Sequence, residues 1–361
     1  MPINRIKNID EIENQSGDKI SIADLASGML GGSGGAVSAD GLAITRQEDD
    51  DSIDYSFNAE DATTATATAN PNAADGHSPD ASHVMFGGGV SISLANTVDM
   101  KQFASTATAV DHGDLTRARR ALAAASDGTQ VMFGGGIDSG YLATCDMKQF
   151  ATTANAVAHG RLMQEKGYPA AGSDGTQVMF GGGSTGSSVN TVEMMQFSST
   201  NFAVDHGDLS QARSSLAAGS DGTQVMFGGG DAGYTLRTWD MKQFSTTAVA
   251  VTHGNLTEER FSLGAASDGT QVMFGGGHTG SKRVNTCDMK QFSTSANAVD
   301  HGDLTEARYG HAACSDGTQV MFGGADGFNT CIMKQFSTDA IAVDHGTRSN
   351  GHALAAGSGN A

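Results

Sequence analysis

The string Val-Met-Phe-Gly-Gly begins at Val84, Val131, Val178, Val225, Val272 and Val320, so one unit of 47 or 48 residues recurs six times. A fixed period of that length marks a repeat architecture, in which each unit buries its apolar face against the next. Every copy continues into a Met-x-Gln-Phe element ending at Phe103, Phe150, Phe197, Phe244, Phe292 or Phe336. An Ala-Val-x-His-Gly element follows, carrying His112, His159, His206, His253, His301 and His345. A run of small residues and Ser-Asp-Gly-Thr-Gln (Ser126 to Gln130) then lead into the next copy.

Each unit reads as four short strands. Gln130-Val131-Met132-Phe133 is apolar on both faces, which suits a strand sandwiched between neighbouring sheets. Thr144 to Phe150 alternates, with Cys145 and Met147 on one face and Asp146 and Lys148 on the other, and reads as a more exposed strand. Ala154 to Val157 supplies a third strand, and the small residues before Ser173-Asp174-Gly175 a fourth. Asp-Gly is a hairpin signal that folds this last strand onto the next Val-Met-Phe. Four strands in under 50 residues, repeated without helical periodicity, match the blade of a β-propeller. The first copy lacks its small-residue strand, and Leu354 to Asn360 at the C-terminus resembles it. The C-terminal strand is therefore expected to complete the blade begun at Val84, closing six blades into a ring without open sheet edges.

Composition narrows the function. The net charge is −19, with 21 basic against 40 acidic residues, so binding along a nucleic-acid backbone is not expected. Glycine (49 residues) against proline (4) fits tight turns between short strands. No apolar run approaches the ~18 residues of a membrane helix, and Met1 to Arg5 do not open an apolar leader, so neither insertion nor secretion by a signal peptide is expected. Cys145, Cys287 and Cys331 occupy one slot of three different copies, which sets them apart in space and predicts reduced thiols.

The segment Arg308-x-Gly310-His311-Ala312-Ala313, followed by Asp316-Gly317 and Val320 to Gly324, resembles a kelch motif, although the kelch Tyr and Trp are missing further along the blade. The string Thr294 to Arg308, which recurs in eroded form through residues 84 to 361, resembles repeat units of virion proteins of marine tailed bacteriophages. That resemblance implies a six-bladed kelch-like β-propeller in a virion or tail-fibre-like protein, assembled in the host cytoplasm and present in multiple copies.

Residues 1–80 share no period with the propeller of residues 81–361 and read as a largely irregular attachment arm. Ile9 to Glu13 and Ile20 to Leu25 suggest short helical turns, Gly28 to Gly35 a flexible link, Gln47 to Asp51 a solvated acidic run, and Thr63 to Ala69 a worn strand. The arm is either a loose tail or the part that docks the propeller onto other virion proteins.

The repeated polar residues carry little sign of chemistry. One His per blade lies on a ring too wide for a single metal ion, so a structural corner is the expected role. Asp111 to Leu115, Asp205 to Leu209 and Asp300 to Leu304 have a calcium-loop flavour, but the second copy degrades to Ala158-His159-Gly160-Arg161, and an Asp capping its own turn explains them. Arg119, Arg213, Arg260 and Arg308, with Lys166 in the second copy, share one slot and form a spaced ring rather than a catalytic clamp. No catalytic residue, metal site or cofactor is expected. Trp239 takes the place of a Val or Cys and reads as packing.

Two segments vary freely among copies: one after the glycines (Ile137 to Ala143, for example), the other after Gly-Asp-Leu. Loops at one position of successive blades gather on one side of a propeller. Tyr141, Tyr234, Arg237, Lys282 and Arg283 are the contact-capable members of the first set and the candidate partner- or receptor-binding residues. The expected function is a non-enzymatic virion structural protein docked through its arm. The alternatives are a receptor- or glycan-binding module using the loop ring, a capsid-decorating protein, or a cellular kelch-like interaction scaffold.

Overall fold

The computed structural model describes residues 83–325, 327–349 and 353–359, together with five short strands nearer the N-terminus. The chain divides into two compact units, Met1–Ala69 and Asn70–Ala361.

In the first unit, Glu11–Glu13 pairs antiparallel with Lys19–Ser21, with Ile12 opposite Ile20. These residues are strands, not the helical turns expected there. Glu-Ile-Glu and Lys-Ile-Ser alternate with period two, which a pleated pair uses and a helical turn cannot. Val37–Ala39, Leu42–Arg46 and Ile53–Phe57 form a three-stranded antiparallel sheet. The glycine link, the acidic run and the Ala/Thr stretch lie outside the described residues.

The second unit is a six-bladed β-propeller of four-stranded antiparallel sheets. In the second blade the inner strand is Ala123–Ser126, the second Gln130–Gly134, the third Thr144–Gln149 and the outer Val157–Arg161. Blades three to six repeat this order. The first blade takes its inner strand from the far end of the chain: Ala356–Gly359 pairs with His83–Gly87, with Ala356 opposite Gly87 and Gly359 opposite Val84. The ring is closed as the sequence predicts.

The second strands are the core. Their Val, Met and Phe are fully buried in all six blades, and apolar clusters join each blade to the next. Each Phe stands over the first glycine of the preceding blade. A Cβ on Gly134 would lie 2.5 Å from the Phe180 ring, and one on Gly181 2.6 Å from Phe227. Inner strands such as Ala123-Ala124-Ala125 and Ala170-Ala171-Gly172 are built of small residues, which lets six of them approach one axis.

Two strand expectations are corrected. The third strand is not exposed: Asp146 and Lys148 are as buried as Cys145 and Met147, because the polar side of one blade is covered by the next. The outer strand starts at Val157 and runs through His159-Gly160, so the His sits inside the strand rather than at its corner. Asp146 pairs with Ala158 and Thr144 with Arg161, leaving His159 and Gly160 opposite Cys145 alone. That β-bulge, with Gly160 at φ 97°, is repeated in every blade.

Candidate functional site

The bulge aims each histidine at the neighbouring blade. His112 Nε2 donates to the Gln149 carbonyl (3.3 Å), His159 to Gln196 (3.1 Å), His206 to Gln243 (3.0 Å), His253 to Phe292 (3.1 Å) and His301 to Gln335 (3.1 Å). Burial holds His112, His206, His253 and His301 below the ordinary imidazole range. The glycine beside each histidine is required by the same contact, since a Cβ on Gly113 would meet the Thr153 carbonyl at 2.5 Å. These histidines are inter-blade struts. In the four blades where an Asp precedes the bulge, the Asp caps it: Asp111 Oδ1 accepts from the Gly113 N–H at 2.9 Å, and Asp205, Asp300 and Asp344 repeat the contact.

The ring of cations is equally committed. Arg119 reaches Asp146 in the next blade at 3.2 Å, Arg213 reaches Asp240 at 3.3 Å and Arg260 reaches Asp288 at 2.9 Å, with all these side chains fully buried. Where the cation is Lys166, the acid is Glu193, at 2.6 Å: the shorter cation is matched by a longer acid. Each acid also holds the connecting segment, as Asp146 does by accepting from Thr116 N–H and Oγ1–H at 3.1 and 2.6 Å. At the closing interface Arg348 meets Asp99 at 3.5 Å. It enters from the slot that holds Leu115 or Leu304 elsewhere, three residues after the His-strand histidine, and was not legible as a member of the ring. In the sixth blade Ile332 replaces the acid, and Arg308 turns to Glu306 at 2.5 Å. A cavity of about 300 Å³ opens there, lined by Thr305, Glu306, Thr330, Cys331, Ile332 and Asp344.

The Ser-Asp-Gly-Thr-Gln turns are self-contained. Asp127 Oδ1 accepts from Thr129 N–H, Thr129 Oγ1–H and Gln130 N–H at 2.8 to 2.9 Å, and its Oδ2 from Gln130 Nε2 at 2.9 Å. All four cysteines are free and buried, and burial pushes the Cys145 and Cys287 thiols up to about 12. Trp239 is fully buried, edge-on to Phe274 with ring centroids 3.9 Å apart. Among the described residues, no group of three or more His, Cys, Asp or Glu is placed to hold a metal ion.

On the side where the variable loops gather, the axis opens as a small cup. Ala121, Tyr168, Ser215, Ser262 and Leu354 line its mouth with φ between 52° and 57°, and Gly310 completes the set at 68°. Each N–H donates to the carbonyl of its counterpart one blade back: Tyr168 to Ala121 (2.7 Å), Ser215 to Tyr168 (3.0 Å), Ser262 to Ser215 (2.7 Å) and Gly310 to Ser262 (2.8 Å). Leu354 to Gly310 (2.6 Å) and Ala121 to Leu354 (2.8 Å) close the cycle. Left-handed backbone costs a non-glycine residue about 1–2 kcal/mol, and the closed hydrogen-bond cycle is what holds it. The cup encloses about 70 Å³, far below the ~300 Å³ at which small-molecule sites begin. His311 replaces the Leu122 or Leu216 of its slot in the cup, and burial drives its imidazole down to about 3.

The five predicted contact residues all lie in the segment between second and third strands, spread over the second, fourth and fifth blades. Tyr141 Oη shares a hydrogen bond with Ser184 Oγ at 3.2 Å, and Gln211 Nε2 donates to Tyr234 Oη at 2.6 Å. Tyr234, Arg237, Lys282 and Arg283 are exposed. Only Arg283 is brought into an aromatic cluster. Its Cζ lies 4.9 Å from the Tyr309 ring centroid, Tyr309 is 5.6 Å from His278, and His278 is 5.3 Å from Phe261. Phe261 and Tyr309 belong to the second variable segment, after Gly-Asp-Leu and Gly-Asn-Leu, which the sequence shows to vary but does not show to meet the first.

Compared with known proteins, the chain matches no family model, and none of the curated proteins is similar to it.

Proposed function

We propose that this chain is a non-catalytic binding scaffold: a virion structural component, tail- or fibre-associated, with the propeller displayed and the N-terminal arm docking it to other virion proteins. A six-bladed propeller is consistent with a binding or scaffold module. The observation that carries the non-catalytic part is the commitment of the repeated polar residues. His112, Asp111, Arg119, Asp146 and Asp127 and their counterparts hold blade to blade or close their own turns. Side chains held in place by such contacts serve the fold, which supports the non-catalytic reading.

The virion setting rests on the resemblance of Thr294 to Arg308 to phage repeat units, and the kelch likeness on Arg308 to Gly324. Docking by the arm rests on its lacking the repeat that makes the rest a closed body. Supplied to particle assembly, the full chain is expected to co-sediment with purified particles, and a form lacking residues 1–75 to stay soluble and folded. Equal incorporation of the two would refute docking by the arm.

A further inference from the structure

The propeller distributes its charge unevenly. Eleven of its Lys and Arg side chains are buried in inter-blade contacts and loop caps. The six that reach solvent are Arg117, Arg120, Arg161, Arg237, Lys282 and Arg283. Each lies in a variable loop, a connection or the strand end that joins them, all at the cup end of the blades. The Asp-Gly turns, with Asp127, Asp174, Asp221, Asp268 and Asp316, occupy the opposite end. Among its described residues, the propeller thus keeps its accessible cations on one face.

That face is six-fold in its backbone and singular in its side chains. The residue just before the cup ring is Arg120, Gly167, Ser214 or Ala353 in four blades, and Phe261 and Tyr309 in the remaining two, which are neighbours. In the fifth blade the loop is stitched to its connection by reciprocal backbone hydrogen bonds between Phe261 and His278, at 3.0 and 2.9 Å. His278 Nδ1 accepts from the Gly280 N–H at 2.9 Å, which places the ring proton on Nε2. Blade six carries the shortest loop, Ala325 to Phe328, and Tyr309 is met instead by Arg283 of blade five. The fold has made room for this asymmetry. Where other inner strands begin with Ala, the fifth begins with Gly264, whose Cβ would lie 2.8 Å from the His311 ring.

We propose that Phe261, His278, Tyr309 and Arg283, with Lys282 beside them, form a binding site for an acidic saccharide. Half-buried Phe261 and Tyr309 offer flat rings on which a sugar face packs, as aromatic side chains do at carbohydrate-like, half-polar ligands. His278 Nε2–H and the Tyr309 hydroxyl are the donors for ring hydroxyls. Arg283 and Lys282 pair with a carboxylate or sulfate, the guanidinium through its planar fork. A nucleic acid would need a longer cationic track than Arg283 and Lys282 supply on so acidic a protein. The site goes beyond the scaffold reading, which requires no ligand on this face, so its failure would leave that reading standing.

The test is titration calorimetry of the full chain with three oligosaccharides: an oligogalacturonate (carboxylated), a carrageenan oligomer (sulfated) and an uncharged cello-oligosaccharide. At least one charged oligomer should bind, more weakly as salt rises, while the uncharged one does not. Arg283→Gln, at an exposed side chain, and Tyr309→Ala should each weaken binding ten-fold or more, and Tyr309→Phe less. The charged arm that binds identifies carboxylate or sulfate as the partner of Arg283. Absence of binding by both charged oligomers, equal binding of the uncharged one, or unchanged binding by Arg283→Gln would overturn the proposal. Equal binding of a poly-glutamate peptide would overturn it too, by reducing the site to charge alone.

Discussion

Phe86 of the first blade stands over Gly323 of the last, where a Cβ would lie 2.5 Å from its ring. The two residues are 237 positions apart and meet only because the ring closes. The same contact joins Gly134 to Phe180 and Gly181 to Phe227, so the Phe and the first glycine persist in all six copies for one reason. Gly323→Ala is expected to cost about 1–3 kcal/mol, as overpacking of a filled core does. Gly140→Ala, where nothing lies within 4 Å, is expected to be close to neutral. Denaturant midpoints of the two variants compare them directly.

Lys166 and Glu193 replace an arginine and an aspartate together, and the pair remains buried at 2.6 Å. Glu193→Gln leaves a buried ammonium without its counter-charge and should destabilise by about 3–5 kcal/mol. The double change Lys166→Arg with Glu193→Asp recreates the pair of the neighbouring blades and should recover most of that loss. If each single change costs little and their effects simply add, the pair is not coupled.

His311 makes stability depend on acid. Its folded imidazole lies at about 3 against an ordinary 6.5, because burial disfavours the charged ring. Above pH 6.5 both folded and unfolded forms are neutral and its contribution is complete. As pH falls from 6.5 towards 3 the unfolded chain takes up the proton and the folded chain does not, so stability is lost across that window, by roughly 5 kcal/mol at most. His311→Leu, the residue of this slot in the second, fourth and fifth blades, should flatten the acid limb of a melting-temperature profile relative to the parent. Parallel profiles would contradict the assignment.

The bulge glycines should be intolerant for a different reason than the core ones. Gly113 sits at φ 94° with the Thr153 carbonyl of the next blade where a Cβ would be. Gly113→Ala therefore combines backbone strain of about 1–3 kcal/mol with a steric clash across the blade interface. Amide exchange along Val110–Asp114 should quicken in that variant before exchange along His83–Gly87 does.

The blade count, the strand order and the closure were all legible, because a period in register exposes them without reference to any contact. What stayed hidden lies between blades. Asp146 and Lys148 alternate like an exposed face, and only Arg119, 27 positions earlier, explains why Asp146 is buried. His159 reads as a corner because Gly160 follows it; the bulge that keeps both in the strand depends on its pairing with Cys145. Arg348 joins the cation ring from a leucine slot, an exchange no period reveals. The aromatic cluster was half legible: Arg283 stood out in its loop, but Tyr309 lies 26 residues on, in a segment whose proximity is set by the turn from one blade to the next.

The closed ring underlies the contacts between blades, and it is joined without a covalent link at the pairing of Ala356–Gly359 with His83–Gly87. Thermal unfolding of the full chain against residues 1–355 tests it most directly. Loss of the inner strand should open the first blade, remove the Leu354–Ala121 continuity at its support and lower the melting temperature of the whole propeller by more than 10 °C, roughly what losing several kcal/mol does to a domain of this size. An unchanged, cooperative melt of the shortened chain would contradict closure by the C-terminal strand.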